Sequence, residues 1–168
     1  MTDWAVKPAI EGARHSAVHL EMRDAYAVDT EDVLAWREGV PYDPEPGAWW
    51  YDMIRRAVDR GVAVRRARIV SEPVSEYIRF EYEITKHNIE SGEDVRWLAR
   101  HRASDLALPG NDYWLVDREL VIFNHFTGDG QWADDPEEVS RDPAVVDLCV
   151  AAFDAVWERA TPHADYRI

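Results

Sequence analysis

Residues 62–70, Val62-Ala63-Val64-Arg65-Arg66-Ala67-Arg68-Ile69-Val70, combine a β pattern with three arginines. A strand of this apolar content has to be partly buried, and a buried guanidinium without a carboxylate is very costly. Other parts of the chain must therefore bring acid to it. Alternation puts Arg66 and Arg68 on one face with Val62 and Val64, and Ala63, Ala67 and Ile69 on the other with Arg65. The strand starts apolar and turns polar toward its carboxyl end.

The flanking residues frame this strand. Trp50, Met53, Ile54, Ala57 and Val58 make one apolar stripe, so 49–60 is expected to be a helix that Gly61 stops. Ser71 and Pro73 suggest a capped helix start after the strand, with a helix over 73–90 ended by Gly92. A further strand follows at 94–99. Strand, helix, strand with a crossover of this length is a right-handed βαβ unit with parallel strands.

Upstream, residues 1–12 suggest a flexible arm, with Trp4 as its anchor, in front of a single domain over 13–168. Val18, Leu20 and Met22 alternate with His19, Glu21 and Arg23, the period of a strand, although several of these residues also favour helix. Thr30 suits the cap of a short helix at 31–38 ended by Gly39, and prolines 41, 44 and 46 make a loop. Downstream, 112–116 and 119–126 form a hairpin about Asp117-Arg118, and 131–134 suggests a short edge strand. Pro143 opens a last helix to about residue 160, with Val146, Cys149, Val150, Phe153 and Trp157 facing inward. The expected fold class is α/β (or α+β): a mixed sheet of five or six strands with flanking helices.

Composition limits the function classes. The 168 residues are 46% apolar, enough for a packed core, and carry a net charge of -14. Such a field repels nucleic acid and anionic membranes, so neither is expected as a direct partner. No run reaches the roughly 20 apolar residues of a membrane span, and charges interrupt any leader-like stretch at the start. A cytoplasmic protein is expected. Cys149 is the sole cysteine and falls in an apolar helical run, which suits a core position. There is no zinc pattern and no glycine-rich phosphate loop, so no metal and no cofactor are expected. His15 and His19 share a side, and the acidic run Asp134-Asp135 with Glu137-Glu138 suits a solvated loop. No serine or cysteine nucleophile with a base stands out, so no catalytic residue is assigned.

The candidate ligand- or partner-binding surface is Arg66, Arg68, Glu72, Tyr77, Glu81 and Arg96. Ligands of open α/β sheets bind beyond the carboxyl ends of the strands, where a following helix also points its N-terminus. A small anionic ligand would suit arginines there. The same arginines would equally suit a structural network with Glu21, Glu72 or Glu81. An enzyme reading would use Glu72 or Glu81 beside an arginine clamp, in a hydrolase acting on an anionic substrate. A dimer module with Trp49 and Trp132 at its interface is a third reading.

The residues Leu20-Glu21, Tyr26, Arg60-Gly61-Val62, Ser71-Glu72-Pro73, Tyr77, Arg96-Trp97-Leu98, Asp112, Asp117 and Trp157 with Ala160, Pro162 and His163 resemble an uncharacterised actinobacterial family, a domain of unknown function, over 13–166. Members of that family often sit beside helix-turn-helix regulators. The resemblance implies a non-enzymatic regulatory accessory or binding domain, with such a regulator as a possible partner. More distantly, the order of elements and Leu115-Val116-Asp117 resemble one half of a phospholipase D-like domain. That family carries its catalysis on His-x-Lys-x4-Asp. With Asp117 on the motif's aspartate, Gly110 falls at the histidine and Asp112 at the lysine. The resemblance thus implies a catalytically degenerate relative.

Overall fold

The computed structural model describes residues 4–168. Its centre is parallel: β1 (Ser16–Glu21), β2 (Ala63–Val70) and β3 (Asp94–Ala99) lie side by side. Next to β1 come β4 (Tyr113–Val116), β5 (Leu120–Phe126) and β6 (Trp132–Ser140), each antiparallel to its neighbour. The two-residue β7 (Thr161–Pro162) pairs antiparallel with β3. The order across the single mixed sheet is β6-β5-β4-β1-β2-β3-β7.

Helices cover both faces. They are α1 (Val6–Glu11), α2 (Thr30–Arg37), α3 (Ala48–Asp59), α4 (Glu76–Glu90) and α5 (Pro143–Arg159). Cys149, Phe153 and Val156 of α5 share a core with Leu20, Ala67, Ile69, Leu98 and Leu115. On the other face, Val6 and Ile10 of α1 and Met53, Ile54 and Ala57 of α3 cluster with Ala17, Val64, Trp114 and Val116. There too, Tyr77, Ile78 and Phe80 of α4 cluster with Val70, Val95 and Trp97. Burial also raises the Cys149 thiol to about 11, the behaviour of an inert core residue. No helix among the described residues is long and apolar enough to cross a membrane.

The crossover is as expected, with Arg66 opposite Val95 and Arg68 opposite Trp97 in parallel register. Gly61 and Gly92 both have positive φ, +90° and +99°, at the helix ends they terminate. Asp117 and Arg118 take φ of 52° and 57°, the signature of the two-residue turn that matches strand twist. Arginine is a poor resident of that conformation, but its neighbours compensate. The Asp117 carboxylate accepts the N–H groups of Arg14, His15 and Ser16, and Arg118 pairs bidentately with Asp154 on α5.

Several expectations are corrected. The sheet has seven strands, because residues 161–162 add a short edge; β6 also runs to Ser140, beyond the expected 131–134. The acidic residues of 134–138 are therefore strand residues and not a loop. Residues 6–11, expected within a flexible arm, form α1 with Val6 and Ile10 buried against α3; residues 1–3 lie outside the described residues. α4 starts later than residue 73: Ser75 is its cap, its hydroxyl accepting from the Ile78 N–H. Ser71 instead donates its N–H and hydroxyl to Asp24, both at 2.7 Å.

The two helix-stop glycines separate backbone strain from packing. An added Cβ at Gly61 meets nothing within 4 Å, whereas at Gly92 it would lie 3.0–3.3 Å from the Val58 side chain. Gly61→Ala is expected to cost about 1–2 kcal/mol from its left-handed backbone alone. Gly92→Ala is expected to cost about 1–3 kcal/mol more through overpacking. Urea midpoints of both variants measure this, and equal losses would show that Val58 yields freely.

Candidate functional site

The face of the sheet beneath α1, α3 and α4 changes from apolar to charged along the parallel strands. Ala17, Val64 and Trp114 are followed by His19, Glu21, Arg66 and Arg68, all on the same side because each is an even step along its strand. Parallel register sets His19 beside Arg66 and Glu21 beside Arg68. Glu21 bridges both arginines: one oxygen accepts from Arg66 Nη1 and the other from Arg68 Nε at 2.5 Å. Arg66 Nε donates to Glu93 at 2.6 Å, and Asn88 of α4 donates to the second Glu93 oxygen at 2.9 Å. Arg68 Nη2 reaches Glu81 of α4 at 2.7 Å, and its Nη1 donates to Thr85. Two buried cations thus meet three carboxylates. His19 Nδ1 lies 2.8 Å from the Tyr113 carbonyl oxygen, which can only accept, so this nitrogen carries the proton.

Above this floor lies a pocket of about 1220 Å³. Its floor is His19, Glu21, Arg66, Arg68, Trp114 and Asn124; Tyr77, Glu81, Ile84 and Asn88 of α4 form one wall. α3 contributes Trp49, Trp50 and Tyr51, the loop before it Tyr42, and Tyr26, Asp29, Phe126 and Trp132 complete the rim. Trp114 stacks on His19 with centroids 4.4 Å apart, meets Trp50 edge to face at 5.6 Å and carries Arg66 at 5.6 Å. Trp49, more than half exposed, and Trp132 stand at the mouth.

The excess of acid shows in the proton affinities. Burial would raise Glu21, but Arg68 and Arg66 outweigh it and hold the carboxyl well below its ordinary range. Burial wins at Glu81: Arg68 opposes it, Glu21 and Asp29 reinforce it, and the group holds its proton above the ordinary range. Burial also raises Asp29, with the Tyr77 hydroxyl opposing and Asp32 and Glu21 adding repulsion. The Tyr77 hydroxyl lies 2.6 Å from Asp29 and 3.0 Å from Glu81.

Of the six residues expected at the site, Arg66, Arg68, Tyr77 and Glu81 converge here. Glu72 and Arg96 do not. Glu72 is exposed and accepts from the Tyr166 hydroxyl at 2.9 Å. Arg96 projects from the opposite face, where its guanidinium covers the Trp157 ring at 4.2 Å. An odd step along β3 puts it there, opposite the Val95 and Trp97 side. Of the carboxylates considered for the arginines, Glu21 and Glu81 pair with them and Glu72 does not. Sequence reading missed Glu93, Asn88, Asp29 and the aromatic walls, and left His19 out of the candidate surface. A signal for His19 lay in its two-residue spacing from Glu21. No group of three or more potential ligands for a metal ion occurs among the described residues.

The positions that would carry the phospholipase D motif have other occupations. Gly110 faces open space. Asp112 is buried and accepts the Met22 N–H at 2.8 Å and the Tyr26 hydroxyl, and Asp117 ties the hairpin to β1.

The sheet and its helices define a phospholipase D-like class of fold. The chain is similar to Nuc from Salmonella typhimurium, a phospholipase D family member, at 15% identity over 97% of this chain and 89% of that one, with a TM-score of 0.54. It is similar to NucT from Helicobacter pylori at 10% identity, covering 94% and 88%, with a TM-score of 0.51. A third likeness is to TrmBL2, an archaeal chromatin protein with a novel mode of DNA binding, at 18% identity and a TM-score of 0.49. It covers 92% of this chain, which spans 48% of TrmBL2. No curated protein sequence matches. The chain belongs to the family described as a domain of unknown function (DUF6879), whose model matches residues 5–168.

The network generates two expectations. Arg68→Ala strands Glu81 in the interior and leaves Glu21 with Arg66 alone, and is expected to cost roughly 3–5 kcal/mol. Arg37→Ala, which breaks a half-exposed pair with Glu76, is expected to cost about 0–1 kcal/mol. Guanidinium denaturation compares them, and similar losses would mean that the Arg68 pairs are no better than surface pairs. Glu81 supplies a pH signature. Its folded state keeps a proton that the unfolded chain releases near 4.5, so wild type loses stability relative to Glu81→Gln as pH rises from there through the raised folded value. Glu21 works in the opposite sense: its contribution is present above 4.5 and is lost as pH falls through its lowered value. A difference between wild type and Glu81→Gln that does not change with pH would sink the assignment.

Proposed function

We propose that this chain is a non-catalytic ligand-binding domain on a phospholipase D-like sheet. One observation carries the reading: a large aromatic-walled pocket stands over a floor whose arginines are already engaged by carboxylates. Pockets of this kind, apolar with a few convergent polar groups, are the usual form of small-molecule sites. Arg68 commits all three of its nitrogens, and Arg66 commits two to Glu21 and Glu93. The anionic ligand anticipated for this cluster is therefore not part of the reading. Phosphodiester cleavage on this fold needs a nucleophilic imidazole and a cation for the phosphate, and Gly110 and Asp112 supply neither. In the regulatory setting that the family resemblance implies, ligand occupancy would be passed to a helix-turn-helix regulator.

A second reading has one observation in its favour. Glu81 is buried and burial raises its proton affinity, the direction a general acid needs. Incubation with bis-p-nitrophenyl phosphate decides between the two, with Glu81→Gln and His125→Ala beside wild type. No turnover above buffer is expected from any of the three. Turnover lost in Glu81→Gln would establish a hydrolase with that residue as acid. Turnover lost in His125→Ala would make that imidazole, now 3.3 Å from Glu138, the nucleophile.

A further inference from the structure

Resting on the reading of the pocket as a binding site, we propose that its ligand is a small organic cation: an ammonium or guanidinium group on a flat apolar body. Charge gives the first reason. The lining holds three cations, Lys7, Arg66 and Arg68, against four carboxylates, Glu21, Asp29, Glu81 and Glu137, and Glu93 stands behind Arg66. The two arginines are held by Glu21, Glu81 and Glu93, so the surplus at the base is negative.

The second reason is a hydrogen-bond deficit. The Tyr77 hydroxyl lies within reach of Asp29 and Glu81, yet it has one proton and can donate to one of them. The facing oxygen of the other carboxyl is left without a donor, even though Glu81 holds Arg68 through its second oxygen at 2.7 Å. Burial raises the proton affinity of both groups: at Glu81 the single shared arginine opposes it, and Asp29 has no ion pair among the described residues. Around Glu81 the sheet presents Glu21 and Arg68, its own helix Tyr77, and the segment before α2 Asp29 with Asp32 behind it. A cationic head at Asp29 and Glu81 takes the place of the proton.

The walls supply the third reason. Ten of the lining residues are Trp, Tyr or Phe, whose ring faces attract cations, most strongly when water is excluded. The chain's own Lys7 already lies 5.8 Å from the Trp49 ring centroid at the mouth. The volume of about 1220 Å³ admits a body of several rings.

Three probes with one ring system isolate the charge: naphthylmethyl-trimethylammonium, naphthalenemethanol and naphthalenesulfonate, titrated by calorimetry and tryptophan fluorescence. The ammonium probe is expected to bind tightest, by at least about tenfold over the alcohol. It should bind more tightly as pH rises, with a proton released in calorimetry across buffers of different ionisation enthalpy. Asp29→Asn and Glu81→Gln should each weaken it and remove that proton release. Asp29 is less buried than Glu81, and the comparison of probes on wild type needs no variant. Equal binding of alcohol and ammonium, or preference for the sulfonate, would overturn the cation and leave the binding domain standing. No binding of any probe would overturn this inference, and the phosphodiester assay would then judge the broader reading by itself.

Discussion

Arg66 and Arg68 lie on the central parallel strand, and carboxylates from three other segments close on them: Glu21 from β1, Glu81 from α4 and Glu93 from the turn into β3. A charge buried this deeply is tolerable only with all of its partners in place. The network therefore constrains the topology around it. A one-residue slip of β1 against β2 would carry Glu21 to the opposite face, among Leu98 and Phe153, and leave both guanidinium groups without it. α4 must also cross at the depth that brings Glu81 and Thr85 to Arg68. The crossover unit and the ion network are thus two descriptions of one arrangement.

The balance inside that arrangement is uneven. Glu21 is buried but gains from two arginines, which lower it well below the ordinary range; Glu81 is buried with one shared arginine and faces Glu21 and Asp29, and its proton affinity is raised. Two neighbouring carboxyl groups pushed in opposite directions are a common mark of functional sites, although structural networks also produce them. Here the second carboxyl opens on a pocket, and a closed structural network would need no such opening. The aromatic rings above it complete an environment that is apolar at the walls and acidic at one end of the base.

The likeness to phospholipase D-like structures concerns the sheet and its helices. The same segment that would carry that family's chemistry does structural work in this chain. Asp112 holds Met22 and Tyr26 at the carboxyl end of β1, and Asp117 holds the amino end of the same strand. A shared scaffold with different residues at the decisive positions is the usual separation of fold from function.

Local signals were legible in the sequence because they depend on a few consecutive residues. The stripe of α3, the stops at Gly61 and Gly92, the turn at Asp117-Arg118 and the need of Arg66 and Arg68 for acid are all of this kind. The parallel crossover followed from them through chain handedness alone. Signals that depend on residues distant in sequence were not legible. Ser71 looks like a cap until Asp24, 47 positions earlier, is seen to hold it. Arg96 looks like part of the cluster until pairing with β2 shows which side of β3 it occupies. Glu93 and Asp29 carry no pattern that marks them as partners of the site. The pocket itself is assembled from β1, β2, β4, β5, β6, α1, α3 with the loop before it, α4 and the segment before α2, which no window of the sequence contains. The sequence by itself determined that a β strand would carry arginines and that acid would have to meet any of them that were buried. The tertiary structure alone decided which acids those were, and that Glu81 and Asp29 would face an aromatic cavity, because only packing brings distant charges within a few ångströms.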